Sequence, residues 1–225
     1  MSAMGVFDIL GPIMVGPSSS HTAGAARLGK VARIIAGGEV QEVDFLLHGS
    51  FAKTYKGHGT DRALVAGIMD MSPSDDRLRD SIELAKEKGI KINFEEVDLG
   101  DYHPNTVKII ILRVDGKKCE VVGSSIGGGN IEIIEVNGNR VQFTGAYHTI
   151  ITSHKDIPGA VAKVTHILYS HGINIAFMNL ERKQKGKNAT MTFEVDSKVS
   201  KELIEMIKAI EGIEKVILIN KAEEE

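Results

Sequence analysis

The chain has 225 residues, enough for one large domain or two modest ones, and its hydrophobic content of 42% is ordinary for a soluble globular protein. The net charge is −3 and the basic residues are dispersed, which argues against a nucleic-acid-binding face. No apolar run is long enough to span a membrane, and residues 1–10 lack the basic start of a signal peptide, so we expect a cytoplasmic protein. The one cysteine, Cys119, excludes an internal disulfide and cannot alone supply the thiolates of an iron–sulfur cluster.

A run of polar side chains precedes the first predicted helix. The run is Gly16-Pro17-Ser18-Ser19-Ser20-His21-Thr22-Ala23-Gly24, and apolar residues then recur at helical spacing over residues 25–35, up to Gly37-Gly38. The unpaired N–H groups and the positive dipole end of a helix start favour a small anion such as a carboxylate. One Ser or Thr suffices as an N-cap, so the pattern leaves open both a helix cap and a ligand site.

A second polar stretch follows the first predicted strand. It contains Lys53 and the run Gly57-His58-Gly59-Thr60-Asp61, and we predict a loop in which Thr60 or Asp61 caps the next helix. The flanking elements are predicted from hydrophobic periodicity. They are strands over residues 43–47 and 91–97 and helices over residues 62–71 and 77–88.

Hairpins dominate the next part of the chain. A predicted loop, Gly100-Asp101-Tyr102-His103-Pro104-Asn105-Thr106, leads into a β-prone run, and Asp115-Gly116 is a strong hairpin signal. Residues 124–130 are predicted as a glycine-rich loop that either packs closely against backbone or forms a mobile flap. A strand follows this loop, which rules out a dinucleotide-binding fingerprint. We predict an α+β domain over residues 1–144, with strands over residues 107–114, 119–123, 131–136 and 140–143.

The pattern restarts after a short predicted linker, Thr144-Gly145-Ala146. Residues 147–225 give elements in the order βαββαβ, which is the ferredoxin-like arrangement. The predicted strands cover residues 147–153, 173–182, 189–195 and 216–220, and the predicted helices cover residues 160–170 and 200–211.

This second domain resembles the ACT domain family, the small regulatory modules of amino-acid metabolism. The matching residues are Asp156-Ile157-Pro158-Gly159, an apolar helix over residues 161–168, and Gly172-Ile173-Asn174-Ile175. The resemblance implies a homodimer in which two domains pair edge to edge, covering open sheet edges. It also implies effector contacts at His154, Asp156 and Asn174. Serine-binding members often carry Asn at the position of Asp156, so we expect that serine is not held in the usual way.

The first domain resembles the β chain of the iron–sulfur-dependent L-serine dehydratases. Four runs match in the same order, and together they span most of the domain. The resemblance implies a two-chain enzyme that eliminates water from L-serine and releases pyruvate and ammonia. It implies a [4Fe-4S] cluster held by a partner α chain, no metal ligand in this chain, and leaves open a monovalent cation. The matching runs are residues 16–22, residues 57–61, His103-Pro104-Asn105-Thr106 and Ser124-Ser125-Ile126-Gly127-Gly128-Gly129.

The resemblance gives the histidine between two glycines the central role. His58 would remove the Cα proton, because a His can act as a base near neutral pH and glycines let a ligand approach closely. Asp61 either orients His58 or caps a helix. Lys53 either contacts a substrate carboxylate or is solvated.

The other candidate residues would surround the substrate. By the resemblance, the polar run binds the carboxylate or amino group and lines the open iron, while the other loop residues lie nearby. From the sequence alone, His103, Asn105 and Thr106 are equally well explained as a polar surface turn. The polar-run candidates are Ser18, Ser19, Ser20, His21 and Thr22, and the loop candidates are Thr60, His103, Asn105 and Thr106.

Two other functions remain open. A serine hydrolase would use a serine of the polar run with His21 as base, but neighbouring residues at a helix start rarely point at each other and no oxyanion-hole motif is present. A non-catalytic amino-acid sensor would combine an ACT domain with a ligand-binding α+β domain. Lyase activity that depends on a cysteine-rich partner and iron distinguishes the dehydratase from the sensor.

Overall fold

The computed structural model describes residues 14–182 and 184–221. The chain forms two compact units that divide between Asn137 and Gly138, whose φ values are 51° and 71°. Both residues are in the left-handed conformation, as the predicted Asn-Gly turn requires. The domain limits 1–144 and 147–225 stay a prediction, and the prediction for residues 1–10 lies outside the described residues. Within the described ranges, no helix has the length and apolar character needed to cross a membrane.

The polar run begins a helix, as predicted. Ser19–Gly24 is π-helical and continues into the α-helix Ala25–Ala36 (α1), which ends at Gly37 with a φ of 62°. That left-handed conformation explains the end of the helix, because a side chain is strained there. The other helices of the first unit are Gly49–His58 (α2), Thr60–Ile68 (α3), the 3₁₀ segment Asp76–Asp80, and Ser81–Glu87 (α4).

Two predictions for the first unit differ from the structure. The predicted loop around Lys53 and His58 is helix α2, because Phe51 and Ala52 are buried and anchor the segment in the core. The helix predicted over residues 77–88 is split into a 3₁₀ segment and α4. The split occurs at Ser81, whose buried hydroxyl donates to the Arg62 carbonyl at 2.7 Å and fixes the chain there.

The strands of the first unit are Val40–His48 (β1), Lys91–Val97 (β2), Thr106–Arg113 (β3), Lys118–Gly127 (β4) and Asn130–Val136 (β5). They lie in the order β2-β1-β3-β4-β5; β1 and β2 are parallel, and the pairs β1–β3, β3–β4 and β4–β5 are antiparallel. Alternate residues of β1, namely Val43, Phe45 and Leu47, are fully buried. Helix α1 covers the sheet, since a Cβ at Gly123 would lie 2.6 Å from Leu28.

The glycine-rich loop predicted over residues 124–130 is much shorter in the structure. Strand β4 continues through Ser124 and Ser125 to Gly127, leaving a turn at Gly128 and Gly129. The φ values of 62° and 80° at the two turn glycines account for the residue type. Extended pairing across β4 and β5 therefore overrides the weak strand propensity of the serines and glycines.

Helices α1 and α3 cross at a pair of glycines. A Cβ at Gly29 would lie 2.3 Å from the Leu64 carbonyl oxygen, and one at Gly67 would lie 2.1 Å from the Ala26 carbonyl oxygen. Any side chain there would push the helices apart, so the glycines set the depth at which α1 sits. Because α1 continues from the π-helical segment, this packing also fixes the position of the polar run.

The second unit has the ferredoxin-like order that the sequence predicts. Its sheet order is β10-β7-β9-β8, and the neighbouring pairs are antiparallel. The core between sheet and helices contains Ile150, Val164, Leu168 and Phe193. The βαββαβ elements are β7 (His148–Lys155), α5 (Ala160–Ser170), β8 (Ile175–Arg182), β9 (Asn188–Val195), α6 (Lys201–Lys208) and β10 (Ile213–Ile219). Strand β6 (Asn139–Phe143) precedes them and is not a strand of this sheet.

Candidate active site

The site is built on the π-helical segment Ser19–Gly24. Its N-cap is Ser18, whose Oγ accepts a hydrogen bond from the His21 backbone N–H at 3.3 Å. π-Helical turns are rare and occur often at functional sites, where they redirect side chains. The sequence predicts a helix start here, but nothing in its pattern predicts the π geometry.

His21 lies at the centre of a hydrogen-bonded group. Its Nδ1 is 3.3 Å from Ser18 Oγ, while its Nε2 is 3.1 Å from Thr54 Oγ1 and 3.4 Å from Ser50 Oγ. The ring also packs edge-on against Phe51 with ring centroids 5.3 Å apart. Burial, and then the neighbouring His58, lower the pKa of His21 below its usual value, so the ring is neutral near pH 7.

His58, the last residue of α2, lies beside the His21 ring. Its ring centroid is 4.7 Å from that of His21 in an edge-on arrangement, and its side chain is exposed. Gly59 follows in the left-handed conformation, with a φ of 69°, and turns the chain into α3. The two histidines from separate motifs therefore meet, one held inside and the other open to a ligand.

The His103–Thr106 segment is joined to the same end of the sheet. The Pro104 carbonyl accepts from the Ser50 N–H at 2.7 Å, which attaches the segment to the start of α2. Thr106 Oγ1 donates to the His103 carbonyl and pairs with Ser124 Oγ, both at 2.6 Å. The segment is thus held on two sides by elements that carry the other motifs.

The glycine-rich motif touches the polar run directly. A Cβ at Gly24 would lie 2.0 Å from Ser125 Oγ, and the Ser125 N–H donates to the Asn105 carbonyl at 2.9 Å. Arg27 of α1 donates to the Gly129 carbonyl at 2.8 Å. Of the two roles predicted for this motif, close backbone packing is the one these contacts support.

Several hydroxyl groups around the π-helical segment are buried without a hydrogen-bond partner among the described residues. They are Thr22 Oγ1, Thr60 Oγ1 and Ser125 Oγ, in side chains at most 1% exposed. An unsatisfied buried hydroxyl is unfavourable by about 1–3 kcal/mol. These groups give the site capacity for further polar contacts. Sequence reasoning missed the roles of Ser50, Thr54 and Ser125.

The remaining candidates of the first unit lie around this centre. Lys53 is exposed on α2. The predicted helix cap is wrong, because the N-cap of α3 is Gly59 and neither Thr60 nor Asp61 caps it. The Asp61 carboxylate instead accepts from the Arg62 N–H at 2.8 Å, and burial raises its pKa above the usual value.

Metal ligands are not grouped in the described part of the chain. Within residues 14–182 and 184–221, no cluster of three or more His, Cys, Asp or Glu side chains could hold a metal ion. The thiol of Cys119 is buried in β4. Because an iron–sulfur cluster needs several thiolates, this donor set does not fit cluster ligation by this chain.

The three predicted effector contacts of the second unit do not converge within one chain. Strand pairing places His154 and Arg182 beside Ala189, whereas Ile175, which follows Asn174, pairs with Val195. The two ends of β9 are about 20 Å apart at 3.3 Å per residue.

The predicted contacts also have partners of their own. The Asp156 carboxylate accepts from the Gly186 N–H at 2.9 Å and from Arg182 at 2.8 Å, and these two hydrogen bonds lower its pKa. The Asn174 amide donates to Asp196 at 2.6 Å and borders an open groove of about 520 Å³ beside His166 and Tyr169.

Comparison with known proteins matches both units to families. The family model described as "Serine dehydratase beta chain" matches residues 5–86, and the model described as "ACT domain" matches residues 148–212. The chain is 43% identical over 212 residues to "L-serine dehydratase, beta chain" of Peptoniphilus asaccharolyticus, covering 94% of this chain and 96% of that protein. It is 44% identical to "Probable L-serine dehydratase, beta chain" of Bacillus subtilis (strain 168), covering 95% and 96%.

A more distant relative has a different name. The chain is 32% identical over 199 residues to "D-3-phosphoglycerate dehydrogenase" of Methanocaldococcus jannaschii, covering 87% of this chain but 37% of that protein. The near-full-length matches to the two β chains cover both units. The chain therefore belongs to the L-serine dehydratase beta-chain family, and its second unit carries an ACT domain.

Proposed function

We propose that this chain is the β subunit of a cytoplasmic L-serine dehydratase and acts with a separate α chain. The observation that carries the proposal is the meeting of His21 and His58, 4.7 Å apart, at a point where four sequence motifs converge. Membership of the β-chain family supports the reaction, in which L-serine loses water and gives pyruvate and ammonia.

His58 is the proposed base. Its exposed ring at the end of α2 can reach a ligand, and a base positioned in this way removes the Cα proton as hydroxide leaves Cβ. The aminoacrylate that results tautomerises to an imine and hydrolyses to pyruvate and ammonia. His21 stays neutral because its pKa is lowered, so it can lie beside His58 without charge repulsion.

Ser19 and Ser20 are the proposed carboxylate contacts. Both are half-buried in the first turn of a helix whose described first turn contains no acidic side chain. Backbone N–H groups and the helix dipole favour a carboxylate at this position. The substrate would then be held by one helix start while the base approaches from another helix.

The α chain is the proposed source of the cluster. A [4Fe-4S] cluster held by cysteines of that chain would supply a Lewis acid for the serine hydroxyl, which this chain's own donor set cannot provide. A monovalent-cation requirement is part of the same proposal, and it is tested by exchanging the cation in the assay.

The ACT domain is the proposed homodimer contact. Strand β8 is an edge of the sheet and carries exposed Phe177, Met178 and Leu180, whereas the other edge, β10, has no large exposed hydrophobic residue among those described. Two-fold pairing of β8 strands would be antiparallel. It would bring Asn174 of one protomer towards the Asp156 end of its partner, which would assemble the predicted effector residues from two chains.

The central experiment is anaerobic co-expression with the cognate α chain, followed by an iron assay and measurement of pyruvate released from L-serine. The pair should contain iron and be active, while this chain alone should be colourless and inactive. A brown, active preparation of this chain alone would contradict the two-chain proposal.

A non-catalytic sensor is the second candidate. It is supported by the match to part of a protein named for another activity, D-3-phosphoglycerate dehydrogenase, in which a segment of similar length makes up 37% of the protein. If this chain is a sensor, calorimetry should show that it binds an amino acid without an α chain. In that case His58→Ala should not change the lyase activity of the co-expressed pair.

A further inference from the structure

Thr54 is a residue that the sequence does not mark, yet it contacts the histidine at the centre of the site. It lies on α2, one turn before His58, with its side chain half-buried. Its Oγ1 is 2.7 Å from the Ser50 carbonyl oxygen and 3.1 Å from His21 Nε2. These two contacts together determine where the protons lie.

A carbonyl oxygen can only accept a hydrogen bond, so the 2.7 Å contact requires the single hydroxyl proton of Thr54. The oxygen of Thr54 then faces His21 Nε2 with a lone pair. A contact of 3.1 Å is attractive only if Nε2 carries a proton, because two lone pairs would repel each other. Neutral imidazole has one N–H, so Nδ1 of His21 must be unprotonated.

The unprotonated Nδ1 fixes the role of Ser18 as well. Ser18 Oγ is 3.3 Å from Nδ1 and accepts from the His21 backbone N–H at the same distance. Its one proton therefore goes to Nδ1, and its hydroxyl has no proton left to donate to a ligand. Ser50 Oγ, 3.4 Å from Nε2, can rotate to suit either tautomer, so it does not decide the assignment.

We propose that Thr54 is a positioning residue that holds His21 in its Nε2–H tautomer and thereby directs the Ser18 hydroxyl to His21 Nδ1. The tautomer follows from contacts within this chain. The effect on turnover rests on the proposed dehydratase function. The inference leaves Ser19 and Ser20, and not Ser18, as the hydroxyl donors available to a substrate carboxylate.

The first test uses this chain alone and needs no activity. Long-range ¹H–¹⁵N correlation spectra read the tautomer of each histidine, and His21→Gln identifies the His21 signals. Wild type and Thr54→Ser should show the Nε2–H form, while Thr54→Val should lose it. Ser18→Ala should keep it, because Ser18 follows the tautomer and does not set it.

A matched control tests for a general helix effect. Thr165 of α5 also donates its hydroxyl to the carbonyl four residues earlier, at 3.0 Å from Val161 O, and its other hydroxyl contact is the Ala162 carbonyl at 3.2 Å. Thr165→Val should leave the His21 signals unchanged. An Nε2–H form that persists in Thr54→Val, or that disappears in Ser18→Ala, overturns the proposal.

The second test uses the two-chain enzyme. Hydrogen-bond partners that orient metal-ligating histidines are typically worth about 10- to 100-fold, and we expect Thr54→Val to lower kcat by a factor of that order with a smaller change in KM. Thr54→Ser should restore most of the kcat. If Thr54→Val folds, loses the tautomer and keeps full kcat, the turnover part of the inference is wrong. If wild type itself releases no pyruvate with its α chain, the proposed function fails while the tautomer result stands.

Discussion

His21 of the first unit is half-buried and His154 of the second is buried, and burial lowers the pKa of each. Nδ1 of His21 contacts Ser18 of the same polar run, and Nε2 contacts Ser50 and Thr54 of α2. His154 is 2% exposed, and its Nδ1 has no hydrogen-bond partner among the described residues. The first unit thus brings its polar motifs together within one chain.

The second unit keeps its predicted effector residues apart. His154 and Asp156 lie at one end of the sheet and Asn174 at the other. Residues of one motif can therefore lie too far apart in a single chain to form one site. The first unit would need its partner for chemistry, whereas the second would need a second copy of itself to complete a site.

The largest expected effect follows from removing His58, the exposed histidine beside His21. His58→Ala in the two-chain enzyme should lower kcat by about 10²–10⁴-fold with little change in KM, because a base acts on the transition state. Exchange of the Cα proton with solvent should disappear together with pyruvate formation. His171→Ala, an exposed histidine at the end of α5, is the control and should leave both rates unchanged.

The serines provide the contrast to that result. Ser19→Ala or Ser20→Ala should mainly raise KM, because a hydrogen bond to a charged carboxylate contributes about 1.5–3 kcal/mol. If His58→Ala keeps near-normal turnover and His21→Ala is inactive, then His21 is the base and His58 is not.

The next test concerns the packing that positions the polar run. Gly67→Ala places a methyl group 2.1 Å from the Ala26 carbonyl, and overpacking of this kind typically destabilises by about 1–3 kcal/mol. Gly57 of α2 has no atom within 4 Å of a would-be Cβ, so Gly57→Ala should be neutral or stabilise by about 0.5–1 kcal/mol. Urea unfolding of each variant measures the difference, and equal midpoints would refute the packing argument.

The homodimer proposal is tested at the edge strand of the second unit. Leu180→Glu on β8 should raise the dimer dissociation constant at least about tenfold, because burial of a leucine contributes about 1.5–3 kcal/mol. Met206→Glu, at an equally apolar and exposed position on α6, is the matched control. Light scattering over a concentration series reports both. Dissociation by Met206→Glu and not by Leu180→Glu would move the interface to α6.

The smallest expected effect is on pH dependence. A histidine whose folded pKa lies below 6.5 takes up a proton first in the unfolded chain, so stability falls as the pH drops below about 6.5. His154→Gln should therefore reduce the loss of unfolding free energy between about pH 7.5 and pH 5.5. Burial is the largest cause acting on the pKa of His154 and lowers it, whereas the charges of Asp156 and Glu214 act in the opposite direction without reversing the shift. An unchanged slope would show that His154 does not carry the effect.

Much of the fold could be predicted because the periodic segments are long. Strand β2 and helix α5 match their predicted limits, Lys91–Val97 and Ala160–Ser170. Helix α2 was missed because its surface residues, among them Lys53, Lys56 and Gly57, mask the two buried positions that anchor it. The loop predicted around Ser124 and Ser125 failed for a similar reason, since pairing with β5 decides that segment and sequence propensity does not.

The site was predicted only where the residue types carried chemistry. His21 and His58 were singled out, and the structure brings them together. The expectation that neighbouring residues at a helix start do not point at each other is wrong here, because π-helical geometry places Ser18 Oγ 3.3 Å from His21 Nδ1. Thr54 could not be found from the sequence, since a threonine inside a helix has no local pattern that reveals a partner 33 residues away.

The contact between Gly24 and Ser125 has a consequence for how this sequence can vary. The two positions are 101 residues apart, yet a methyl group added at Gly24 would fall 2.0 Å from Ser125 Oγ. Residues in such contact show non-additive effects, so Gly24→Ala and Ser125→Gly should each be harmful alone and less harmful together. Substitutions at these two positions should therefore be accepted as a pair, and drift at either one is constrained by the state of the other.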